Sequence, residues 1–184
     1  MLKQWFETEW ASYYGPTGPG NAEKDLLAYS GRGKLPTGVV AYLGDELCGI
    51  MALKAESIAT HPHLSPWVAA GLVAPHHRRN GIGSRLLIAV EGLAKCVGYS
   101  CSYSGTSPAA SLLERSNWRF RERISYDGED VFIYEKKTNN ADILIEISLY
   151  PKNAEPLYIG VYRYITIGCL KSYNQRWTSK SKFD

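Results

Sequence analysis

A short basic and glycine-rich segment, Arg78-Arg79-Asn80-Gly81-Ile82-Gly83-Ser84, is the part of the sequence best suited to binding chemistry. It follows an apolar run that is stopped by Pro75 and precedes a long amphipathic stretch, so it is expected to open a helix. The first turn of a helix presents unpaired amides and a partial positive charge, and glycine lets phosphates approach the backbone without a Cβ in the way. The segment therefore predicts a diphosphate site.

Two other phosphate-binding motifs can be compared with the sequence. A dinucleotide fingerprint would continue Gly81-x-Gly83 to a third glycine, but that position is Leu86. A P-loop would need Ser or Thr after Lys34, where the chain has Leu35. Neither the Rossmann nor the P-loop interpretation fits the chain.

The elements that must position this segment follow from hydrophobic periodicity and turn residues. The best helix covers 81–97, with Gly98 as its C-terminal stop, and the uniformly apolar run 67–74 predicts a central strand before it. The remaining predicted elements are helices at 1–13, 22–29 and 108–115, strands at 37–43, 47–53 and 100–103, and a hairpin that turns at Asp127-Gly128. The sequence thus predicts an α+β fold.

Bulk composition limits the class of protein. The chain has 184 residues, 45% of them apolar, which is enough for one domain with a buried core. Its net charge of +3 is too weak to indicate a nucleic-acid or membrane partner, and its four cysteines form no CxxC pair. No apolar run is long enough to span a membrane, and charges interrupt the aromatic start of the chain, so a cytoplasmic location is expected.

The strand–loop–helix unit resembles the GNAT superfamily of acyl-CoA-dependent N-acyltransferases. The family signature, Gln/Arg-x-x-Gly-x-Gly/Ala, is met by Arg78, Gly81 and Gly83. The likeness extends over residues 1–137 and is greatest to bacterial members that act on small molecules. It implies a mixed, mostly antiparallel central sheet flanked by helices.

The resemblance also implies acetyl-CoA as co-substrate and a set of residues that contact it. The backbone at Leu72 and Val73 would pair with the pantetheine arm, and an amide near Leu72 would stabilise the oxyanion of the reaction. The pyrophosphate would be held by Arg78 and by the amides of Arg79, Asn80, Gly81, Ile82, Gly83 and Ser84. The arm would enter between the central strand and the strand at 100–103.

Catalysis by direct transfer needs a neutral amine and an acid for the departing thiolate. Glu56 is the best-placed base, with a solvated loop residue as the alternative. The family's usual acid is a tyrosine, but the aligned position is Leu113, so Tyr103, Ser104 or solvent must take that role.

The chain departs from the family at both ends. The family's first strand is missing, and a C-terminal extension at 138–184, either a hairpin or a loosely held tail, follows a linker at 138–140. The extension could cover the exposed sheet edge, or pair with a second copy to form a homodimer.

Two functions are consistent with these features. The first is an N-acetyltransferase that moves an acetyl group from acetyl-CoA to a primary amine of a small molecule. The second is a CoA-binding module without turnover, which the leucine at the acid position favours. No metal site is expected, because His61 and His63 lie in a Pro-rich loop and His76-His77 adjoin two arginines in a basic rim. Two arginines without a wider basic face do not predict nucleic-acid binding.

Overall fold

The computed structural model describes residues 1–31 and 34–137, and the backbone of 157–161. Five helices and seven strands fall within these ranges. The helices are α1 (Leu2–Glu9), α2 (Ala11–Tyr14), α3 (Ala22–Tyr29), α4 (Ile82–Cys96) and α5 (Ala110–Arg115). The strands are β1 (Thr37–Leu43), β2 (Glu46–Lys54), β3 (Trp67–Val73), β4 (Cys101–Thr106), β5 (Arg119–Tyr126), β6 (Glu129–Lys137) and β7 (Leu157–Val161).

The strands form one sheet in the order β5-β6-β4-β3-β2-β1-β7, in which β3 is the central strand, as its continuous apolar sequence predicted. The pairing of β3 with β4 is parallel and the other pairs are antiparallel. The predicted α+β class with a mixed, mostly antiparallel sheet is confirmed.

Two hydrophobic cores lie on opposite faces of the sheet. Helix α4 packs on one face, where Leu86, Leu87 and Val90 are fully buried against the strands. Helices α1 and α3 cover the other face through Phe6 and Tyr29, with Leu72 from β3 in the same cluster. The central strand is therefore covered on both faces of the sheet.

Local turn signals gave accurate predictions of element ends. Asn117, which was expected to close α5 in the left-handed conformation, has φ of 59°. Asp127 and Gly128, with φ of 51° and 82°, turn β5 into β6 as the predicted hairpin. Helix α1 is shorter than the predicted 1–13, because the helix is interrupted at Trp10 and a separate short helix, α2, follows.

The C-terminal strand β7 pairs antiparallel with β1, with Val161 opposite Val39 and Leu157 opposite Leu43. It thus occupies, within the same chain, the sheet edge that the extension was expected to cover. The linker at 138–140 and the rest of the extension apart from β7 lie outside the described residues. The extension at 138–184 as a separate unit and the homodimer stay predictions.

None of the helices that the structure describes is both long enough and apolar enough to cross a membrane.

Candidate functional site

The central strand and β4 separate from each other along the sheet. They pair at one position, Trp67 opposite Tyr103, where the Tyr103 amide also donates to the carbonyl of Pro66 at 2.9 Å. One step further, the hydroxyl of Ser104 donates to the carbonyl of Val68 at 3.0 Å. Beyond Val68, the described part of β4 provides no partner for β3. An open strand edge results, with unpaired backbone groups available to an extended ligand.

A bulge in β3 shapes this edge. Ala70 has φ of 51°, and the register between β2 and β3 shifts there, so that Ala70 and Gly71 lie opposite the single residue Met51. A residue with a Cβ is strained in this left-handed conformation, which the surrounding sheet must stabilise. Because a bulge bends its strand, it increases the separation from β4 at the position where the pairing stops.

Strand alternation decides which amides face the opening. The amide of Ala74 donates to Cys48 at 2.9 Å, and the register places Leu72 opposite Ile50 and Val73 opposite Gly49. Because the groups of successive residues in an antiparallel pair point to alternate sides, Leu72 bonds to β2 and Val73 faces the opening. The same alternation turns the amide of Gly71 toward the opening. Of the two residues expected to pair with the pantetheine arm, only Val73 presents its backbone there.

Arg78 fixes the end of this strand. Its Nε donates to the carbonyl of Val73 at 3.0 Å, which confirms that this carbonyl points away from β2. Its Nη2 donates to the carboxylate of Glu9 at 2.8 Å, so the side chain joins β3 to α1. In this structure the Arg78 guanidinium therefore contacts the protein itself. No pattern in the sequence marks Glu9, which is 69 residues away, as a partner of Arg78.

The loop between β3 and α4 holds a run of free amides. A turn of 3₁₀ helix, Pro75–His77, leads into Arg78, after which Arg79 and Gly81 have φ of 66° and 75°. Among the described residues, no hydrogen bond is made by the backbone amides of residues 79–84. Residues of opposite backbone hand in succession turn such amides to a common side, as in anion-binding nests.

Helix α4 adds its dipole to this loop. Gly81 is the N-cap, and a Cβ added to it would find no other atom within 4 Å. Its left-handed backbone conformation, and not a lack of space, therefore requires glycine. No acidic residue lies in the first turn of the helix, whose positive end is thus left uncompensated. The loop and helix thus present backbone groups suited to a doubly charged anion, and the diphosphate site expected from the sequence stays a prediction.

Gly83 lies where the start of α4 packs against α5 and β3. A Cβ on Gly83 would lie 3.6 Å from Leu112 of α5 and 3.9 Å from Val73, both ordinary contacts. A side chain at position 83 would therefore contact α5 and β3 on the protein side. This arrangement brings the diphosphate loop, β3 and α5 together.

Tyr103 lies beside Trp67 at the start of β3, whereas the loop follows the other end of that strand at Val73. Six residue steps of about 3.3 Å separate the two ends of the strand by about 20 Å. The ring of Tyr103 is 6.0 Å from that of Trp67, and the guanidinium of Arg121 lies 6.0 Å above it. Burial raises the pKa of Tyr103 above its usual value, and neighbouring Cys101 raises it further. The phenol is therefore neutral at ordinary pH and can donate a proton.

Glu56 lies in the exposed loop that follows β2, two residues past Lys54, which is opposite Trp67. It is at the same end of β3 as Tyr103. Within the described residues its carboxylate has no hydrogen-bond or ion-pair partner. The geometry leaves both the base and the solvated-residue interpretations open to experiment.

The other hydroxyl candidate for the acid, and the residue at the family's usual acid position, are held in the protein interior. Ser104 is buried, and its hydroxyl donates to β3, as described above. Leu113, at the position of the family's usual tyrosine, is 3% exposed and packs in the core on the α4 side. A tyrosine hydroxyl at that position would enter the core, whereas the neighbouring Leu112 contacts the start of α4. Tyr103 is the remaining hydroxyl candidate that borders the opening.

Several aromatic residues divide between core and surface. Trp67 is fully buried, with its indole donating to the Leu64 carbonyl. The hydroxyl of Tyr14 donates to Asp25 at 2.7 Å, whereas Tyr13 is half exposed beside it.

Comparisons with known proteins were made on both sequence and structure. The model of the acetyltransferase (GNAT) family matches residues 2–118. No curated protein matches the sequence. Among solved structures, an aminoglycoside 6'-N-acetyltransferase from Enterococcus faecium is 15% identical, with a TM-score of 0.59 over 74% of this chain and 88% of its own. An aminoglycoside 6'-N-acetyltransferase complexed with coenzyme A gives the same values. An aminoglycoside 6'-acetyltransferase type Ii is 19% identical, with a TM-score of 0.57 over 74% and 86% of the two chains.

Proposed function

Because this chain belongs to the GNAT acetyltransferase family, we propose that it is an N-acetyltransferase that moves an acetyl group from acetyl-CoA to a primary amine of a small molecule. The single observation that supports this most is the run of free amides at residues 79–84, at the positive end of α4 and beside the open edge of β3. The family expected from the sequence is confirmed, and acetyl-CoA is the co-substrate that it implies.

In this proposal the diphosphate lies on the loop amides, and the arm of the coenzyme extends along the open edge of β3. Arg78 then acts as a positioning residue, since it holds the Val73 carbonyl and α1 together beside the arm. The guanidinium of Arg79, which has no partner among the described residues, remains available for a phosphate. The coenzyme supplies a thioester carbonyl that an amine can attack.

The bulge provides a place for the reacting carbonyl. The amides of Gly71 and Val73 both face the opening, and either can donate to the negative charge that develops on the carbonyl oxygen. Such fixed donors need no reorganisation when the charge forms. Gly71 and Val73 are therefore the proposed donors in the region of Leu72, where the sequence predicted an amide that stabilises the oxyanion.

Proton transfers complete the reaction. An alkylamine has a pKa of about 10.4, so it must lose a proton before it attacks, and Glu56 is the proposed base, directly or through water. The new C–N bond forms as the C–S bond breaks, and the thiolate takes a proton from solvent or, through intervening water, from the Tyr103 hydroxyl. The raised pKa of Tyr103 keeps the phenol protonated, and it also makes the phenol a weaker acid than an ordinary tyrosine.

An acceptor screen that measures released CoA thiol tests the proposal. Polyamines, aminoglycosides and amino acid derivatives are the first acceptors to offer, because three structurally similar enzymes are aminoglycoside acetyltransferases. Thiol release should depend on the amine and disappear in Gly83→Glu. In Glu56→Gln the rate should fall and its pH dependence should change, whereas a full rate across pH would remove Glu56 as the base.

The alternative is a CoA-binding module without turnover, favoured by the burial of Leu113 at the usual acid position. It predicts calorimetric binding of CoA with no thiol release for any amine. A cytoplasmic location and a homodimer remain proposals, and light scattering would test the homodimer.

A further inference from the structure

We propose that Glu46, His76 and His77 form a binding site for a divalent metal ion of the zinc class. Glu46 is the first residue of β2, and the two histidines form the turn that follows β3. The antiparallel pairing of these strands, continued by the hydrogen bond from Ala74 to Cys48, brings the start of one strand beside the end of the other. Three side chains that are common zinc ligands thus converge at one end of the hairpin.

The spacing of the donor atoms fits a shared ion. The Nε2 atoms of His76 and His77 lie 2.9 and 3.2 Å from the same oxygen, Oε1 of Glu46. One donor atom from each of the three residues lies within 4.8 Å of those of the other two. With zinc–ligand bonds of about 2.0–2.1 Å, ligands of a tetrahedral site are about 3.3 Å apart, so small side-chain rotations would place all three around one ion.

A buried nitrogen supports a ligand here independently. The side chain of His77 is 11% exposed, and its Nε2 is fully buried yet makes no hydrogen bond, although it points to within 3.2 Å of the Glu46 carboxylate. Buried polar atoms without a partner are uncommon in proteins and call for an explanation. A metal ion bound between this nitrogen and the carboxylate would satisfy both.

The ligand types select the class of ion. Two imidazoles and one carboxylate suit Zn²⁺ and its first-row neighbours better than Mg²⁺ or Ca²⁺, which prefer oxygen ligands. Glu46 and His76 have side chains that are 56% and 63% exposed, so an ion could enter from solvent and keep water in its remaining position. The ion would join β2 to the turn immediately before Arg78, at the entrance to the diphosphate loop.

The chain contains a matched control. His61 and His63 form a second histidine pair, with ring centroids 5.8 Å apart, and His61 lies 3.6 Å from Glu122. Within the described residues this pair is not part of a three-ligand cluster. If two neighbouring histidines and a carboxylate nearby were sufficient, both pairs would bind metal equally.

The test uses the full chain, free of any purification tag and treated with a chelator. Zn²⁺ titration by calorimetry should show one equivalent bound, and Co²⁺ should give the absorption of a four-coordinate site. Glu46→Gln and His76→Gln change exposed side chains, so the fold should persist. Each should weaken binding by at least about tenfold, since even the outer partners of metal ligands have effects of that size. His63→Gln should bind as the wild type does.

Thermal unfolding gives a second measurement. Zn²⁺ should raise the melting temperature of the wild type and of His63→Gln, but not that of His76→Gln. The proposal is overturned if the wild type binds Zn²⁺ no more tightly than His76→Gln, or if His63→Gln weakens binding as much as Glu46→Gln does.

Discussion

Gly83→Glu separates coenzyme binding from folding, because the same change should have opposite effects on the two. The Cβ of a residue at 83 would already contact Leu112 and Val73 at 3.6 and 3.9 Å, so a longer side chain cannot extend into the protein. Helical side chains lean toward the N-terminus, which directs the carboxylate over the free amides of the loop. The substitution therefore places a negative charge where the diphosphate is proposed to bind.

The magnitudes follow from this geometry. A carboxylate about 5 Å from a phosphate charge, at an effective dielectric constant of about 20, costs about 3 kcal/mol, which is roughly a hundredfold in affinity. Removing glycine from the first turn of α4 should favour the helix by about 0.5–1 kcal/mol. A negative charge at the positive end adds about 0.3–1 kcal/mol. The variant should thus be at least as stable as the wild type while losing CoA binding.

Calorimetry with CoA and urea unfolding of the same preparations measure the two effects. Gly83→Ala is the matched control: the family signature allows alanine here and the added Cβ makes only ordinary contacts, so CoA should still bind. If Gly83→Glu binds CoA within about threefold of the wild type, the diphosphate does not lie on this loop. If both variants lose binding, the loop is intolerant of any side chain, and the charge argument is wrong.

Three further predictions concern single residues. Gly81→Ala forces a Cβ into a left-handed conformation with φ of 75° and should lower the free energy of unfolding by about 1–2 kcal/mol. In the same urea titration Gly92→Ala, in open space within α4, should raise it by about 0.5–1 kcal/mol. Equal losses of stability in the two variants would contradict the left-handed assignment of Gly81. Tyr103→Phe should reduce kcat by about a hundredfold or more with unchanged CoA affinity, and an unchanged kcat would show that solvent supplies the proton. The wild-type rate should decline only above pH 10, because the pKa of Tyr103 is raised. Burial raises the pKa of Tyr29 to about 12 from 10.0. The stability contributed by the neutral Tyr29 hydroxyl should therefore be complete below pH 10 and should be lost between pH 10 and 12, by roughly 2–3 kcal/mol. Denaturation at several pH values should show this loss in the wild type and a smaller one in Tyr29→Phe.

Local patterns in the sequence were sufficient for most elements and for the loop. Helix α4 and strand β3 were predicted within one or two residues of their observed ends, because hydrophobic periodicity and the glycines at 81 and 98 act over a few residues. The free amides of the loop follow from the same local rule, since the first turn of any helix lacks partners for its amides. The family signature marks that loop, and the family could be recognised from it.

Contacts between distant segments could not be predicted in this way. Whether Leu72 or Val73 faces the opening depends on the register of β3 against β2, and a shift by one residue would exchange them. The contacts of Arg78 with Glu9 and the Val73 carbonyl are not marked by any motif, and its expected contact with a phosphate stays a prediction. The alignment placed Leu113 at the acid position, whereas its burial depends on how α5 packs against α4.

The histidines His76 and His77 show most directly the difference between what local sequence patterns predict and what contacts between distant segments decide. The sequence placed His76 and His77 in a basic rim beside two arginines, which was a sound inference from neighbours along the chain. Their contact with Glu46, 30 residues earlier, exists because β2 and β3 pair antiparallel and bring opposite ends of the two segments together. The sequence by itself determined which segments become helix, strand and loop, since those preferences are local. Only the tertiary structure decided which side chains and amides share a site, because strand register and packing set that over long separations.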